Sequence, residues 1–476
     1  MQIRTIILQL CAVGALFLAG SSLRADVIYL KNGRTIWADQ AREKGSRVEY
    51  DVGENTFAVP KSAVDHIATG GMPPQYGSAE SLPGARSVPS FSPTDNFSNS
   101  IQLTQQIIRD GKVNADALSS LETGDPHAAA AGYFIAGKYE FDHGDFPRAR
   151  AHFDVALRFD RENPTILNYY AALLIRTGEP EQALHYAEHA VRIAPNSPDA
   201  LDVLGYAQYA ANRIQNATET WKRSLELRPD AAIQNLLEKA EKDATAESNF
   251  SENDSSHFTL RYEGKQTSDA FRRQLMTVLE ADYDDLVRQL GVAPRSSIAV
   301  SLYTEQAFFD VTQAPSWTGA LNDGKLRIPV NGLNSVTPDL AHVLKHELAH
   351  SFINYVSAGH CPHWLNEGIA QAMEPKSLTY GPQLAKLFAA QREIPFNAME
   401  GSFMGLSGPQ ATLAYEESLA ATDYIIDTYG VSDLQRILQR IGEGSSTEAA
   451  MRATIHADYG ELEAEVGKYL INKYRN

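Results

Sequence analysis

Cysteine is almost missing from this sequence: of 476 residues only two are cysteine, Cys11 and Cys361. Cys11 lies in an apolar leader expected to be removed, so one thiol remains and an intramolecular disulfide is excluded. Runs of lysine and arginine are missing too. Acidic residues outnumber basic ones 59 to 42, giving a formal net charge of -17, which repels polyanions and argues against nucleic acid as a partner. Nor is there an apolar run of the ~20 residues that a membrane-spanning helix needs. The stretch from Ile6 to Ala19 is shorter and ends in Gly20, Ser21 and Ser22. What is present is ordinary globular material, 43% hydrophobic and 21% charged, in a length that suits about three domains at ~150 residues each.

The first residues have the layout of a secretory signal, residues 1–25: an early cation at Arg4, the apolar stretch, then small residues and a cleavage point after Ala25. Leu10 is bulky where lipoprotein signals resemble one another in having a small residue, which argues against lipidation of Cys11. The mature chain is therefore expected in the periplasm or outside the cell, with no stable membrane span.

Residues 26–68 alternate as strands do, through Val27 and Tyr29, then Thr35 and Trp37, then Val48, Tyr50 and Val52. Asn32-Gly33 separates the first two runs, and both residues tolerate the positive φ of a tight hairpin. The segment resembles a small SH3-like β-barrel, either a docking module or an accessory barrel without a ligand. Residues 69–124 read as a linker with room for a helix, because Pro73, Pro74, Pro83, Pro89 and Pro93 break regular structure.

Next comes repetition. Ala149, Ala183 and Ala217 stand 34 residues apart, and so do Leu157, Val191 and Leu225, and Tyr133, Leu167 and Leu201. Pro195 and Pro229 close successive units, and Gly144 and Gly178 mark their internal turns. These residues resemble the tetratricopeptide repeat, and residues 125–246 are assigned to it. The resemblance implies helix-turn-helix units stacked into a solenoid whose groove takes a protein partner or peptide segment; the alternative is a spacer.

The chemistry lies further on. Thr337 and Pro338 suit the N-cap and first position of a helix. Along it Leu340, Leu344, Leu348 and Phe352 form one apolar ridge, while His346 and His350, one turn apart, share another face. His346-Glu347-Leu348-Ala349-His350 is an H-E-x-x-H pattern, in which two imidazoles can chelate one ion. Glu367 follows 17 residues after His350, within Trp364-Leu365-Asn366-Glu367-Gly368. Two histidines and one glutamate leave the fourth tetrahedral position of a zinc ion open for water. Ile353 and Val356 stand where a metzincin needs Gly and His, which excludes that class.

Here the chain resembles the gluzincin metallopeptidases, more closely their peptidase MA-like members, over residues 247–476. The resemblance implies Zn2+ held by His346, His350 and Glu367, with Glu347 as the general base acting on the attacking water. It also implies a downstream oxyanion stabiliser. Tyr415 is the first choice and Tyr424 the alternative, and either could instead be a buried aromatic. Lys325 to Val330, with Pro329 near its end, reads as an edge strand able to pair with extended substrate. Before it, Thr318-Gly319-Ala320-Leu321-Asn322-Asp323 is loosely similar to the aminopeptidase Gly-Ala-Met-Glu-Asn segment. Asn322 replaces its glutamate, which favours an endopeptidase. His342, His360, Cys361 and His363 are assigned to support or packing, since three ligands already complete the set.

The expected whole is a multidomain α+β protein: β-barrel, linker, α-helical tetratricopeptide solenoid, and a C-terminal gluzincin-like domain with a helical lower subdomain. The expected function is an exported zinc metallopeptidase acting on proteins or peptides, with the repeats recruiting substrate or partners. The alternative is a cell-envelope scaffold with a catalytically silent zincin domain. The intact Glu347 separates the two, since a retired enzyme has no chemical reason to keep it.

Overall fold

The computed structural model describes residues 25–31, 35–38, 40–52, 55–71, 101–264, 266–312, 320–330, 333–374, 376–403, 406 and 408–475. The expected signal up to residue 24, the Asn32-Gly33 turn, the proline-rich stretch 72–100 and Thr318-Gly319 lie outside them. The chain divides into two compact units, one of residues 1–79 with 314–318 and 404–411, the other of the remainder.

In the first unit the alternating segments form β1 (Ala25–Leu30), β2 (Thr35–Ala38), β3 (Gln40–Lys44), β4 (Arg47–Val52), β5 (Asn55–Pro60) and β6 (Val64–Gly71). Tyr29 pairs with Thr35 across antiparallel β1 and β2, the hairpin that the sequence implied. The strands make two three-stranded antiparallel sheets, in the orders β2-β1-β6 and β3-β4-β5. The expected closed barrel is not formed among the described residues: no ladder joins β2 to β3, and the 3-10 turn Lys61–Ala63 separates β5 from β6. Alternation encodes which face of a strand is buried, but not which strands close a sheet.

The second unit opens with α1 (Ile101–Ile107), the short strands β7 (Ile108–Arg109) and β8 (Lys112–Val113), and α2 (Ala115–Leu121). Ile107, Leu118 and Leu121 lie against Gly132, so residues 101–124, assigned to the linker by composition, form a packed cap on the first repeat. The repeats are α3 (Pro126–Asp142) with α4 (Phe146–Phe159), α5 (Pro164–Arg176) with α6 (Pro180–Ile193), and α7 (Pro198–Ala210) with α8 (Ile214–Leu227), ending in α9 (Ala231–Ala246). Asn163 and Ser197, again 34 residues apart, cap α5 and α7, each with proline next. Such a cap satisfies backbone N–H groups that the helix itself cannot. In α5 every residue from Ile166 to Ile175 is buried, and in α7 every residue from Asp199 to Tyr209, so the first helix of each pair is enclosed.

The C-terminal part begins with β9 (Ser251–Asp254), β10 (Phe258–Tyr262), α10 (Asp269–Leu290), β11 (Ile298–Tyr303), α11 (Glu305–Thr312), β12 (Leu321–Asn322) and β13 (Leu326–Pro329). They form a sheet of order β12-β13-β11-β10-β9, with β10, β11 and β13 parallel and the outer strands antiparallel. The expected edge at residues 325–330 is therefore partly covered: β12 pairs with Leu326 and Arg327. Then follow α12 (Pro338–Val356), α13 (His363–Met373), α14 (Gly381–Ala389), α15 (Gly408–Tyr429), α16 (Val431–Gly442), α17 (Thr447–Ile455) and α18 (Tyr459–Lys473).

Thr337 caps α12, accepting from the Leu340 N–H at 3.2 Å. Its ridge of Leu344, Leu348 and Phe352 is fully buried, each side chain contributing about 1.5–3 kcal/mol. Phe352 meets Tyr283 of α10 edge-on, with ring centroids 5.0 Å apart. No helix among the described residues is long and apolar enough to cross a membrane.

Candidate functional site

With its leucine ridge in the core, α12 turns His346, Glu347 and His350 toward α13. The candidate donor atoms of these three residues lie within 4.8 Å of one another. α13 brings Glu367 to the same place: its carboxylate oxygens stand 3.5 Å from His346 Nε2 and 3.8 Å from His350 Nε2. Two donors bonded to one tetrahedral ion at ~2.0–2.2 Å lie about 3.3–3.6 Å apart. The spacing is close to that of a ligand set.

The far sides of both imidazoles are also occupied. His350 Nδ1 is 2.7 Å from Asn366 Oδ1, and the Asn366 amide donates in turn to Asn354 Oδ1 at 3.3 Å. A carbonyl oxygen only accepts, so Nδ1 carries the proton and the Nε2 lone pair faces Glu367. His346 Nδ1 lies 3.4 Å from Glu374 Oε1, a charge contact without hydrogen-bond alignment. Asn366, Asn354 and Glu374 were given no role by sequence. Their signal was spacing: Asn354 lies one turn after His350, and Glu374 two turns after Glu367.

Burial sets the electrostatics. It pushes the Glu347 carboxyl up to about 8, with Glu367 and Glu374 adding to the rise and His346 opposing it. Burial also drives His350 down to about 4. Burial opposes charge on His346 as well, yet the Glu367 and Glu374 carboxylates on either side of its ring carry it up to about 10. Glu367 is held at about 2 against its burial by His350 and His346. Among the described residues, no lysine or arginine is one of the main groups acting on Glu347 or Glu367. Two carboxylates and two imidazoles in one buried place, without a fixed cation, form a donor set that a divalent ion would satisfy.

Tyr415 comes from α15. Its backbone carbonyl accepts from Gln371 Nε2 of α13 at 2.9 Å, and its ring meets Phe403 edge-on at 5.3 Å. Burial raises its phenol, and Glu367 and Glu347 raise it further, so it sits within the field of the site. The close approach of α13 and α15 depends on Gly368, where a Cβ would collide with the Ser418 carbonyl oxygen and Thr422 Oγ1. Tyr424, nine residues along α15, instead faces Tyr429, with hydroxyls 3.3 Å apart.

The remaining residues singled out by sequence separate. His363 reaches the rim, with Nε2 3.7 Å from Glu367 Oε1 and its ring edge-on to Phe403. His342 acts on Asp282, Cys361 is buried, and His360 points to the repeats. Asn322, where an aminopeptidase-like segment would place glutamate, is engaged with α12: its amide donates to the Glu347 carbonyl and to Ser351 Oγ, each at 2.6 Å.

No curated protein matches the chain. Among solved structures, the TPR2AB domain of yeast Sti1 in its pHSP90 complex is similar at 13% identity and a TM-score of 0.24, covering 67% of this chain and 98% of that one. Residues 282–472 match the family model described as Peptidase MA superfamily. This C-terminal region, which holds every residue of the site, is a Peptidase MA superfamily domain.

Proposed function

We propose that the protein is a zinc-dependent peptidase of the gluzincin kind, cleaving internal peptide bonds of proteins or peptides. The observation that carries this reading is the ring of His346 Nε2, His350 Nε2 and the Glu367 carboxylate, 3.5 and 3.8 Å apart, with Glu347 beside it. His346, His350 and Glu367 would hold the ion. When bound, zinc supplies a water of lowered pKa and polarises the scissile carbonyl.

The chain's own groups do the rest. Glu347 takes a proton from the attacking water as oxygen bonds to the carbonyl carbon, and passes it to the amide nitrogen as the C–N bond breaks. The Tyr415 hydroxyl donates to the oxygen on which negative charge develops. Asn366 and Glu374 hold the two imidazoles in orientation. Asn322 is committed to α12 through its amide, its Oδ1 accepts from the Gly324 N–H at 3.1 Å, and it lacks the carboxylate charge that would grip a substrate ammonium, which supports an endopeptidase. The repeats receive substrate or a protein partner, and the protein acts in the periplasm or outside the cell. These last two readings rest on the 34-residue repetition and on the apolar leader.

The test is elemental analysis of purified protein together with hydrolysis of an unfolded protein. About one zinc per chain is expected, lost in Glu367→Ala, with cleavage abolished in Glu347→Gln and zinc retained. Folded wild type without zinc would overturn the site, and zinc without cleavage would favour a scaffold.

A further inference from the structure

The loop between the two ligand-bearing helices, Ser357 to Pro362, sets where Glu367 stands relative to His346 and His350. Its backbone is unusual: Ala358 and Gly359 are consecutive residues at positive φ, 47° and 76°. An alanine in that region costs on the order of 1 kcal/mol and persists only where its surroundings over-determine it. Here the surroundings are the repeats. Ala358 belongs to the same buried apolar cluster as the repeat helices.

Two repeat turns complete the socket. His360 stacks on Phe146 of α4, with ring centroids 5.4 Å apart and planes at 22°. Its Nε2 accepts from Arg176 of α5 at 2.8 Å, and the same guanidinium lies over the Phe146 ring at 5.4 Å. Gly144, at φ 80°, lets the turn between α3 and α4 come close: a Cβ there would lie 3.0 Å from His360 Cε1. Gly178, in the turn between α5 and α6, faces the Tyr355 ring at the end of α12.

The repeats reach the site by a second route. Asp243 of α9 pairs with Arg327 of β13 at 2.8 Å, and Lys239 of α9 pairs with Asp323 at 2.9 Å. Asp323 follows Asn322, whose amide holds the Glu347 carbonyl. One route ends on the loop that leads into the helix of Glu367, the other on the backbone of the general base.

We infer that the repeats are a structural part of the metal site, with Arg176, Phe146 and His360 acting as a latch that positions the loop between the two ligand helices. Arg176, Phe146 and His360 are positioning residues, since none touches the reacting atoms. The inference rests on the metal-site reading above and extends it: loosening the latch changes how the site holds its ion, and a partner bound at these turns would change it too.

The experiment compares full-length wild type, Arg176→Ala, His360→Ala, the double variant, and Glu162→Ala, which removes an exposed partner of His189 elsewhere in the repeats. Zinc affinity is measured by competition with a chelator, and the cobalt(II)-substituted proteins are compared by their visible d–d bands. The latch predicts that either single change weakens zinc binding about tenfold, as loss of outer-shell support does. It also predicts altered d–d bands, a double variant no worse than the singles because the latch acts as a unit, and an unchanged Glu162→Ala protein. Wild-type affinity and spectra in all the latch variants would overturn the inference while leaving the metal site standing. A wild type that binds no zinc would overturn both.

Discussion

Two buried clusters of charge meet at consecutive residues, Asn322 and Asp323, and they are built on opposite plans. On the Asp323 side, the Arg327 guanidinium is enclosed by Asp243 at 2.8 Å and Asp323 at 2.9 Å, with the Tyr303 hydroxyl oxygen accepting at 2.8 Å. Lys239 completes Asp323, Tyr209 donates to Asp243 at 2.8 Å, and Glu247 takes Arg261 at 3.1 Å. Although burial opposes it, Arg327 keeps both aspartates below the usual carboxylate range. On the Asn322 side, Glu347 and Glu367 share a buried space with two imidazoles, and Glu347 is pushed up to about 8. A buried cluster that balances its own charge is a joint. One that leaves carboxylates without a fixed cation is a place for a ligand.

The comparison breaks most sharply at Arg327. Replacing it with methionine takes from Asp243 and Asp323 the buried charge they share, leaving Lys325 at 3.8 Å and Lys239 at 2.9 Å as their cations, and unfolding in urea should show a loss of about 3 kcal/mol or more. The matching change on the other side, Glu347→Gln, keeps the shape and removes a carboxyl that burial holds well above its ordinary value. Metal-free Glu347→Gln should be as stable as wild type or more so; a loss as large as that of Arg327→Met would erase the distinction. Zinc should then stabilise the site cluster alone, by about 2.7 kcal/mol at a hundred times Kd. That gain should appear in wild type and Glu347→Gln melting curves and vanish in Glu367→Ala.

Next in size is Gly368→Ala. The added methyl has to push α13 away from α15, a strain of about 1–3 kcal/mol. Because that contact sets Glu367 against Tyr415, kcat should fall further than stability alone explains. Unchanged kcat would show that Tyr415 does not need this packing.

How much of this was legible follows the range of each interaction. The start of α12 at Thr337-Pro338, its leucine ridge and the imidazole pair are local, fixed by helical period and capping within a few residues. The 34-residue period of Ala149, Ala183 and Ala217 gave the repeats in the same way. Arg327 and Asp243 are 84 residues apart, and Arg176 and His360 are 184 apart. Neither pair has a spacing that a helix or strand imposes, so the docking of repeats onto the C-terminal region left no pattern to read. β12 escaped for the opposite reason: two residues, Leu321 and Asn322, are too few to alternate. Within residues 69–124 the composition left room for a helix but gave no sign that 101–124 pack as a cap on the first repeat.

The smallest effect tests whether a partly buried pair on the helix of the two histidines behaves like the joint. Asp285 of α10 accepts from Lys345 of α12 at 2.6 Å, and that hydrogen bond, against a lesser opposing effect of burial, holds its carboxyl below the usual value. A lowered carboxylate contributes stability that is fully present above its unfolded pKa and is lost as pH falls through the folded one. Asp285→Asn should therefore cost stability at neutral pH and nothing once the pH is below both values. Solvent reaches this pair, so the difference should be only about 0.5–1 kcal/mol, and it should shrink in 1 M salt as the charges are screened. Asp243 and Asp323 share the sign of this pH dependence but are shut off from solvent, so the joint's contribution should hardly respond to salt. If Asp285→Asn proves as costly as Arg327→Met, burial is not what separates a joint from an ordinary pair, and the balance of charge alone has to carry the distinction.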